Sequence, residues 1–386
     1  MNKDPRYEVT VYKRTDEGVI PLGNTYGCPS IRYTQNLYTP GTFTLEIPLD
    51  DRTAREFAKG RYVEIGRTFQ GIIRAVRYET GPGNDMLTVS GTDLLGLIAR
   101  RVTMPPSFDA AAGMAGYDAK QGATETVIKH FVKNNIESPI IGYKKIPGFV
   151  IAPDLERGTP NDKYMSRYEP LEELVGRLAK DAQIGVSCHM DTVTGIITFD
   201  VFAGDDRTES QRAVRPVIFS KQRQTITSMT YSDSDVGLRN AFYATMAGAK
   251  YEDEAFTMVY YRAEDDEHPP EGDARCEMHM DINADHPTPG MEYEELERLA
   301  LLGAADYTRS ASFTCDIDFT RYEYGADYFL GDMVTMQNTD WGVTMDTRLV
   351  EMTVSLARDD DLYSAVFGEQ TPTFAQTVRK VIKTGG

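Results

Sequence analysis

Residues Tyr324 to Pro372 read YGADYFLGDMVTMQNTDWGVTMDTRLVEMTVSLARDDDLYSAVFGEQTP. Apolar and polar residues alternate here in short runs broken by Asn, Asp and Gly, the pattern of half-buried strands joined by turns. The stretch reads as the last strands of a β-barrel. Within it Val343, Met345 and Leu349 occupy odd positions, whereas Val350, Met352, Val354 and Leu356 occupy even ones. Successive residues of a strand face opposite ways, so the buried face cannot change without an extra residue. The pattern therefore predicts a β-bulge or bend between Leu349 and Val350. Little follows Pro372, so the chain is expected to stop where its scaffold stops, which turns attention from a reaction to an assembly.

The chain has 386 residues, of which 41% are hydrophobic and 10% aromatic. That length exceeds one ordinary core, and roughly two to four domains are expected. Mean hydropathy is -0.41, and no run approaches the roughly 18 apolar residues of a membrane span. The N-terminus leads into no apolar signal core, so no membrane anchor and cytoplasmic synthesis are expected. Cys28, Cys188, Cys276 and Cys315 are scattered without a CxxC pair, the pattern of separate reduced thiols rather than a disulfide framework or zinc ribbon. A net charge of -18 argues against gripping nucleic acid by neutralising phosphates. It suits a conduit that DNA must slide past, and it suits plain solubility equally well.

Organisation along the chain is α+β, mainly β. Strands are expected at Tyr7–Arg14, at Phe43, Leu45 and Ile47 after the Pro40-Gly41 turn, and at 62–65, 69–78 and 86–90, with a short apolar helix at 94–101. Short strands at this spacing suggest a small barrel or split sandwich. Met104 to Gly122, rich in Pro, Gly and Ala, reads as a linker or long loop. Two helices follow, one with a stripe of Val127, Ile128, Phe131 and Val132, the other with Leu171, Leu174, Val175, Leu178 and Ala182 after Pro170. Strands are expected at 184–188 and 196–202, then from Val217 through 228–231, 241–246, 256–261 and 276–282. A Glu-rich helix at Met291–Leu302 should bury Leu296, Leu299 and Gly303, before a strand at 313–319.

Chemistry is the weaker half of the sequence. Residues 276–286 place His279, Asp281, Asp285 and His286 close together, and on a strand His279 and Asp281 share a face. These four are the weak candidates for metal ligands. With five histidines in the chain, no second cluster to complete a site, and Pro287 and Pro289 following, a strand running into a loop is the better account. Glu264–Glu267 and Asp359–Asp361 lack the glycine and terminal glutamate of a calcium loop. No GxSxG, P-loop, GxGxxG after a strand or HExxH occurs. No catalytic residue, metal or cofactor is assigned.

Several segments, in order, resemble siphophage tail hub proteins, also called tail-associated proteins. They are the Tyr7–Arg14 strand, the hairpin YTPGTFTLEIP at 38–48, LTVSGTDLL at 87–95, FAGDDRT at 202–208, VIFS at 217–220, NAFYATMAG at 240–248 and YFLGDMVT at 328–335. The family in turn resembles the hub of contractile-phage baseplates. The resemblance implies two small β-barrel-like hub domains with an intervening α+β unit, assembled as a ring-forming trimer. On this chain the first domain would be residues 1–103, the middle unit 104–235, the second hub domain 236–360 and a C-terminal tail 361–386. It also implies a homotrimer that joins the hexameric tail tube protein and distal tail protein to the tip. Neighbours would be the tape measure protein and receptor-binding or fibre proteins, with DNA passing through without sequence-specific binding. The location would be the virion tail tip, after synthesis in the host cytoplasm. Many relatives carry a peptidase, muramidase or fibre extension after this point, so no enzymatic activity is carried over. The rival readings are a tail-associated cell-wall hydrolase and the equivalent hub of a contractile tail or injection particle.

Overall fold

The structure, a computed structural model, describes residues 4–15, 18–81, 85–106, 108–109, 113–114, 116–246, 250–251, 254–255, 258–261, 270–282, 296, 300, 303–304, 307–357 and 361–368. The chain divides into two compact units, residues 1–230 with 314–367 and residues 231–313 with 368–386.

The first unit begins with β1 (Val9–Thr15), β2 (Gly18–Thr25), β3 (Ser30–Asn36), β4 (Thr42–Pro48), β5 (Tyr62–Ile65), β6 (Phe69–Glu79) and β7 (Met86–Asp93). In β4 the expected alternation holds: Phe43, Leu45 and Ile47 are buried and the residues between them exposed. The short apolar helix expected at 94–101 is present as a 3-10 helix over Leu94–Arg100, burying Leu94, Leu95 and Ile98. The middle of the chain supplies β8 (Phe108–Asp109), β9 (Gly113–Met114), β10 (Asp118–Ala123), α1 (Thr124–Val132), β11 (Phe149–Ile151), β12 (Pro160–Ser166), α2 (Leu171–Asp181), β13 (Gly185–Met190) and β14 (Ile197–Phe202). The linker expected over 104–122 therefore contains strand: β10 pairs antiparallel with β12, whose mostly polar sequence gave no alternation to read.

Both helices bury the stripes expected of them, except that Ala182 lies half-buried at the cap just past α2. Val127, Ile128, Phe131 and Val132 are inaccessible on α1, as are Leu171, Leu174 and Val175 on α2. Pro170 sits at the cap of α2 rather than inside its first turn, and Glu172 and Glu173 in that turn favour the positive end of the helix dipole. The same face of α1 also carries charge. Glu125 and Lys129, one turn apart, pair at 2.6 Å with side chains 0% and 5% exposed. Lys129 Nζ donates further to the Pro153 carbonyl at 2.7 Å and Asp200 Oδ1 at 2.8 Å. The Arg157 backbone N–H donates to Glu125 Oε2 at 2.9 Å. Every charge in this network has a partner, which is what burial of ions demands.

After β15 (Ile218–Ser220) and β16 (Ile226–Ser234) the chain enters the second unit with β17 (Ala241–Met246), β18 (Lys250–Tyr251), β19 (Glu254–Ala255), β20 (Met258–Tyr261) and β21 (Glu277–Ile282). It returns through β22 (Ser310–Ile317), β23 (Met333–Asn338), β24 (Val343–Ala357) and β25 (Leu362–Gly368). In the second unit β20, β17 and β21 form one sheet in that order. Its inner face, Phe242, Ala244, Met246 and Met280, packs on Leu296, Ala300 and Ala304, helical residues at one-turn spacing. Leu296 is thus buried as expected, and Leu299 lies outside the described residues.

The strands at the two ends of the sequence join one sheet of 13 strands, in the order β16-β22-β25-β24-β3-β4-β7-β6-β5-β1-β2, with β23 and β15 branching from β24. The joint is β24 with β3, paired from Glu351↔Asn36 to Ala357↔Ser30. Two separate barrels were expected; among the described residues no barrel closes, because the pairing runs continuously across that joint and ends at β16 and β2. At β2 the physical reason is visible. Pro21 offers no N–H, and the register with β1 skips Leu22, two features that blunt a sheet edge. Of the span 236–360, residues up to 313 belong to the second unit and strands β23 and β24 to the large sheet.

The bulge read from the sequence is present. The register of β24 with β25 shifts between Leu349 and Glu351, and the buried positions change from Thr347 and Leu349 to Met352, Val354 and Leu356. Val350 is the extra residue. It has no partner in β25, while its carbonyl accepts the Leu37 N–H at 2.9 Å, one step beyond the Glu351↔Asn36 pair of β24 with β3.

Candidate assembly junction

Three of the segments on which the family resemblance rested meet in the first unit. Residues 202–208 leave the end of β14, residues 217–220 contain β15, and residues 328–335 lead into β23, which pairs in parallel with β15. The first and last cross at two glycines. A Cβ on Gly204 would lie 2.0 Å from the Gly331 carbonyl oxygen, so only glycine permits the approach, and Gly331 itself has φ +91°. Beside the crossing Asp332, 2% exposed, accepts three donors: Arg207 Nε at 2.6 Å, the Asp205 N–H at 2.8 Å and the Phe329 N–H at 2.9 Å. The Met333 N–H donates to the Asp205 carbonyl at 2.9 Å and the Arg207 N–H to the Met333 carbonyl at 2.8 Å. A buried carboxylate so enclosed acts as a rivet between loops. Of the segment at 240–248, residues 241–246 form β17, which belongs to the second unit.

A cavity of about 580 Å³ opens beside the junction, walled by Phe202, Asp205, Phe329 and Asp332 together with Asp93 and Cys188. Asp93 Oδ2 accepts the Gly41 N–H at 2.8 Å, while Oδ1 is buried without a hydrogen-bond partner. Burial pushes the carboxyl up to about 7, and it does the same to the Cys188 thiol, raised further by Asp93. A thiol held protonated is a poor nucleophile. Because the folded-state value of Asp93 lies above the unfolded one, the chain binds more protons folded than unfolded between about pH 4 and pH 7, and stability falls as pH rises through that window. Asp93→Asn should therefore gain stability over the parent at pH 8 relative to pH 4.5, by about 1–3 kcal/mol. Urea unfolding at the two pH values measures it; equal differences at both would refute a proton-binding Asp93.

Elsewhere, His130 Nε2 lies 2.7 Å from Asp118 Oδ1, and Asn134 Nδ2 donates to Asp118 Oδ2 at 3.0 Å. Among the described residues the hydrogen-bond partners of the His130 ring are Asp118 and Asn134, and the group ties α1 to β10. Of the metal candidates, His279 and Asp281 stand exposed on one face of β21, and His279 Nε2 lies 2.9 Å from Thr245 Oγ1. Asp285 and His286 lie outside the described residues. Among the described residues no three His, Cys, Asp or Glu side chains gather where one metal ion could sit, and no helix is long and apolar enough to cross a membrane. The sequence reading missed Asp332, Asp93 and the Glu125–Lys129 network. Asp93, directly before the apolar run at 94–98, carried the one usable signal, that of a cap residue.

The profile of the family described as Siphovirus ReqiPepy6 Gp37-like protein matches residues 15–369. No curated protein matches the sequence. Among solved structures, the chain is similar to the 43 kDa tail protein of prophage MuSo2 from Shewanella oneidensis, with TM-score 0.54 and 13% identity over 93% of this chain and 98% of that one. A tail protein from Neisseria meningitidis MC58 gives TM-score 0.51 and 14% identity over 94% and 96% of the two chains. The prophage tail protein gp18 from Listeria monocytogenes EGD-e gives TM-score 0.51 and 9% identity over 98% and 99%. At these identities the likeness is one of fold.

Proposed function

The chain belongs to the Siphovirus ReqiPepy6 Gp37-like family, and from that premise we propose that it is a structural subunit of a phage tail tip, a hub whose three copies form a ring. The ring joins the hexameric tail tube protein and distal tail protein above to the tip below and frames the DNA channel. The observation that carries this reading is the extent of the family match, residues 15–369, which runs from the end of β1 through β25. The fold supports it. Its large sheet joins strands from the two ends of the sequence through β24 and β3, and in this reading the two sets act as two blocks, so that three copies can meet a sixfold partner. In this reading the first hub domain is residues 1–103, and the second takes its strands from either side of the unit at 231–313. The net charge of -18 suits a conduit that must not retain DNA. Burial holds the Cys28, Cys188 and Cys315 thiols protonated, which favours structure over thiol catalysis, and the place of action is the virion, beside tape measure and fibre proteins.

Sedimentation equilibrium of the purified full chain, followed by imaging of the intact tail tip, tests the reading. Three chains per particle and a threefold ring beneath a sixfold one are expected. A single central copy, or six equivalent copies, would overturn it.

A further inference from the structure

The chain is strongly acidic, yet one part of its surface carries cations and no counter-charge. Arg100 and Arg101 end the 3-10 turn after β7, and Lys144 stands beside them in a second turn, around a cleft of about 500 Å³. Among the described residues none of the three has a carboxylate within ion-pair distance. Their hydrogen bonds are long and go to neutral groups: Arg101 to the Arg100 and Lys144 carbonyls at 3.3 and 3.5 Å, Lys144 Nζ to the Val102 carbonyl at 3.2 Å and Asn135 Oδ1 at 3.4 Å. Arg101 Nε is buried without any partner. Burial lowers the proton affinity of Lys144, and Arg101 lowers it further. Tyr143, 91% exposed, borders the cleft. With 59 acidic and 41 basic residues in the chain, folding could have placed a carboxylate here. Its absence leaves an unfavourable gathering of like charges, the kind of local inconsistency that marks a contact made elsewhere.

The complementary surface lies at the other end of the same strand. β7 starts at Met86 and runs to Asp93, eight residues that span about 26 Å. At its start Glu46, Asp50, Glu79 and Asp85 surround a cleft of about 790 Å³. Glu79 is partly neutralised by Arg77 at 2.5 Å, whereas Glu46 and Asp50 are exposed and, among the described residues, have no cation at ion-pair distance. Opposite charges at opposite ends of one rigid strand cannot reach each other within a chain.

We propose that Arg100, Arg101 and Lys144 receive the carboxylates of Glu46, Asp50 and Asp85 from a second copy of this chain. The contact is head-to-tail, so each copy offers both halves and the contact repeats until the ring closes. It deepens the hub reading above and rests on it. Because Arg100, Glu46, Asp50 and Asp85 are exposed and Arg101 and Lys144 half-buried, the contact sets orientation and partner choice and weakens as salt screens it.

The test is sedimentation velocity of the full chain at low and high NaCl. Arg101→Glu with Lys144→Glu, and separately Glu46→Lys with Asp50→Lys, should each weaken self-association about tenfold or more, and the four changes together in one chain should bring it back to within about threefold of the parent. Lys13→Glu with Lys221→Glu, which changes net charge equally, should leave it unaltered. Association indifferent to the reversals, failure of the fourfold variant to recover, or an equal loss in the control would overturn this contact while the ring stands. A parent chain that stays monomeric at low salt would overturn the ring and the contact together.

Discussion

Gly204→Ala is expected to destabilise the first unit by about 3–5 kcal/mol. The added methyl would lie 2.0 Å from the Gly331 oxygen, 2.1 Å from its carbonyl carbon and 2.5 Å from the Asp332 nitrogen. All three are backbone atoms, so no side chain can turn aside, and the two loops must part. Overpacking of this kind costs about 1–3 kcal/mol by itself. Parting also breaks the bonds that the crossing aligns, because Asp332 takes its Asp205 N–H and Arg207 donors across the same gap. A carboxylate 2% exposed that loses donors adds about 1–3 kcal/mol. Gly142→Ala is the matched control, since a Cβ there meets nothing within 4 Å, and it should stay within about 0.5 kcal/mol of the parent. Urea unfolding decides: a Gly204→Ala protein less than about 1 kcal/mol below the parent would show that the two loops do not cross as described.

Lys129→Met should lower stability by a similar amount, about 3–5 kcal/mol, for an electrostatic reason. The ammonium is the common partner of Glu125, at 2.6 Å, and Asp200, at 2.8 Å. Asp200 is 40% exposed and can turn to water. Glu125 is 0% exposed and cannot, so it keeps only Arg157, 3.3 Å away, and the Arg157 N–H. Burying a carboxylate with one long cation contact is the expensive state. Removing both charges, as Glu125→Leu with Lys129→Met, should recover most of the loss, because a buried pair contributes little net energy over apolar residues of similar size. Thermal unfolding of the three variants separates the cases. A double variant no better than Lys129→Met would mean that packing, not charge, governs the site.

The elements legible in the sequence are those whose burial is one-sided. β4, β17 and the stripes of α1 and α2 each present apolar residues at the period of their own geometry, and Leu349/Val350 announced a bulge by breaking that period. The elements that were missed lack such a signal. β10 and β12 are short and largely polar, paired with each other rather than laid on a core by alternation. β2 contains Pro21 and Gly23, which speak for a turn when read alone and become compatible with strand only at a sheet edge. Glu125 and Lys129 sit on the apolar face of α1 at a spacing that, on a solvated helix, is an ordinary surface pair. Asp332 and Gly204 are 128 residues apart in numbering, and neither signals that the other exists.

The sequence by itself determined which residues turn inward, where the closing strand changes face, and which family the chain resembles, because periodicity and short ordered segments are local properties. Only the tertiary structure decided how many sheets those strands make. Whether β24 closes on its own neighbours or pairs with β3 depends on two strands more than 300 positions apart, from Asn36 to Glu351, and their alternation is satisfied equally by either partner. The same holds for charge. Composition gave -18 for the whole chain, but the separation of cations and carboxylates to opposite ends of β7 exists only once the strand is straight and its flanking turns are in place.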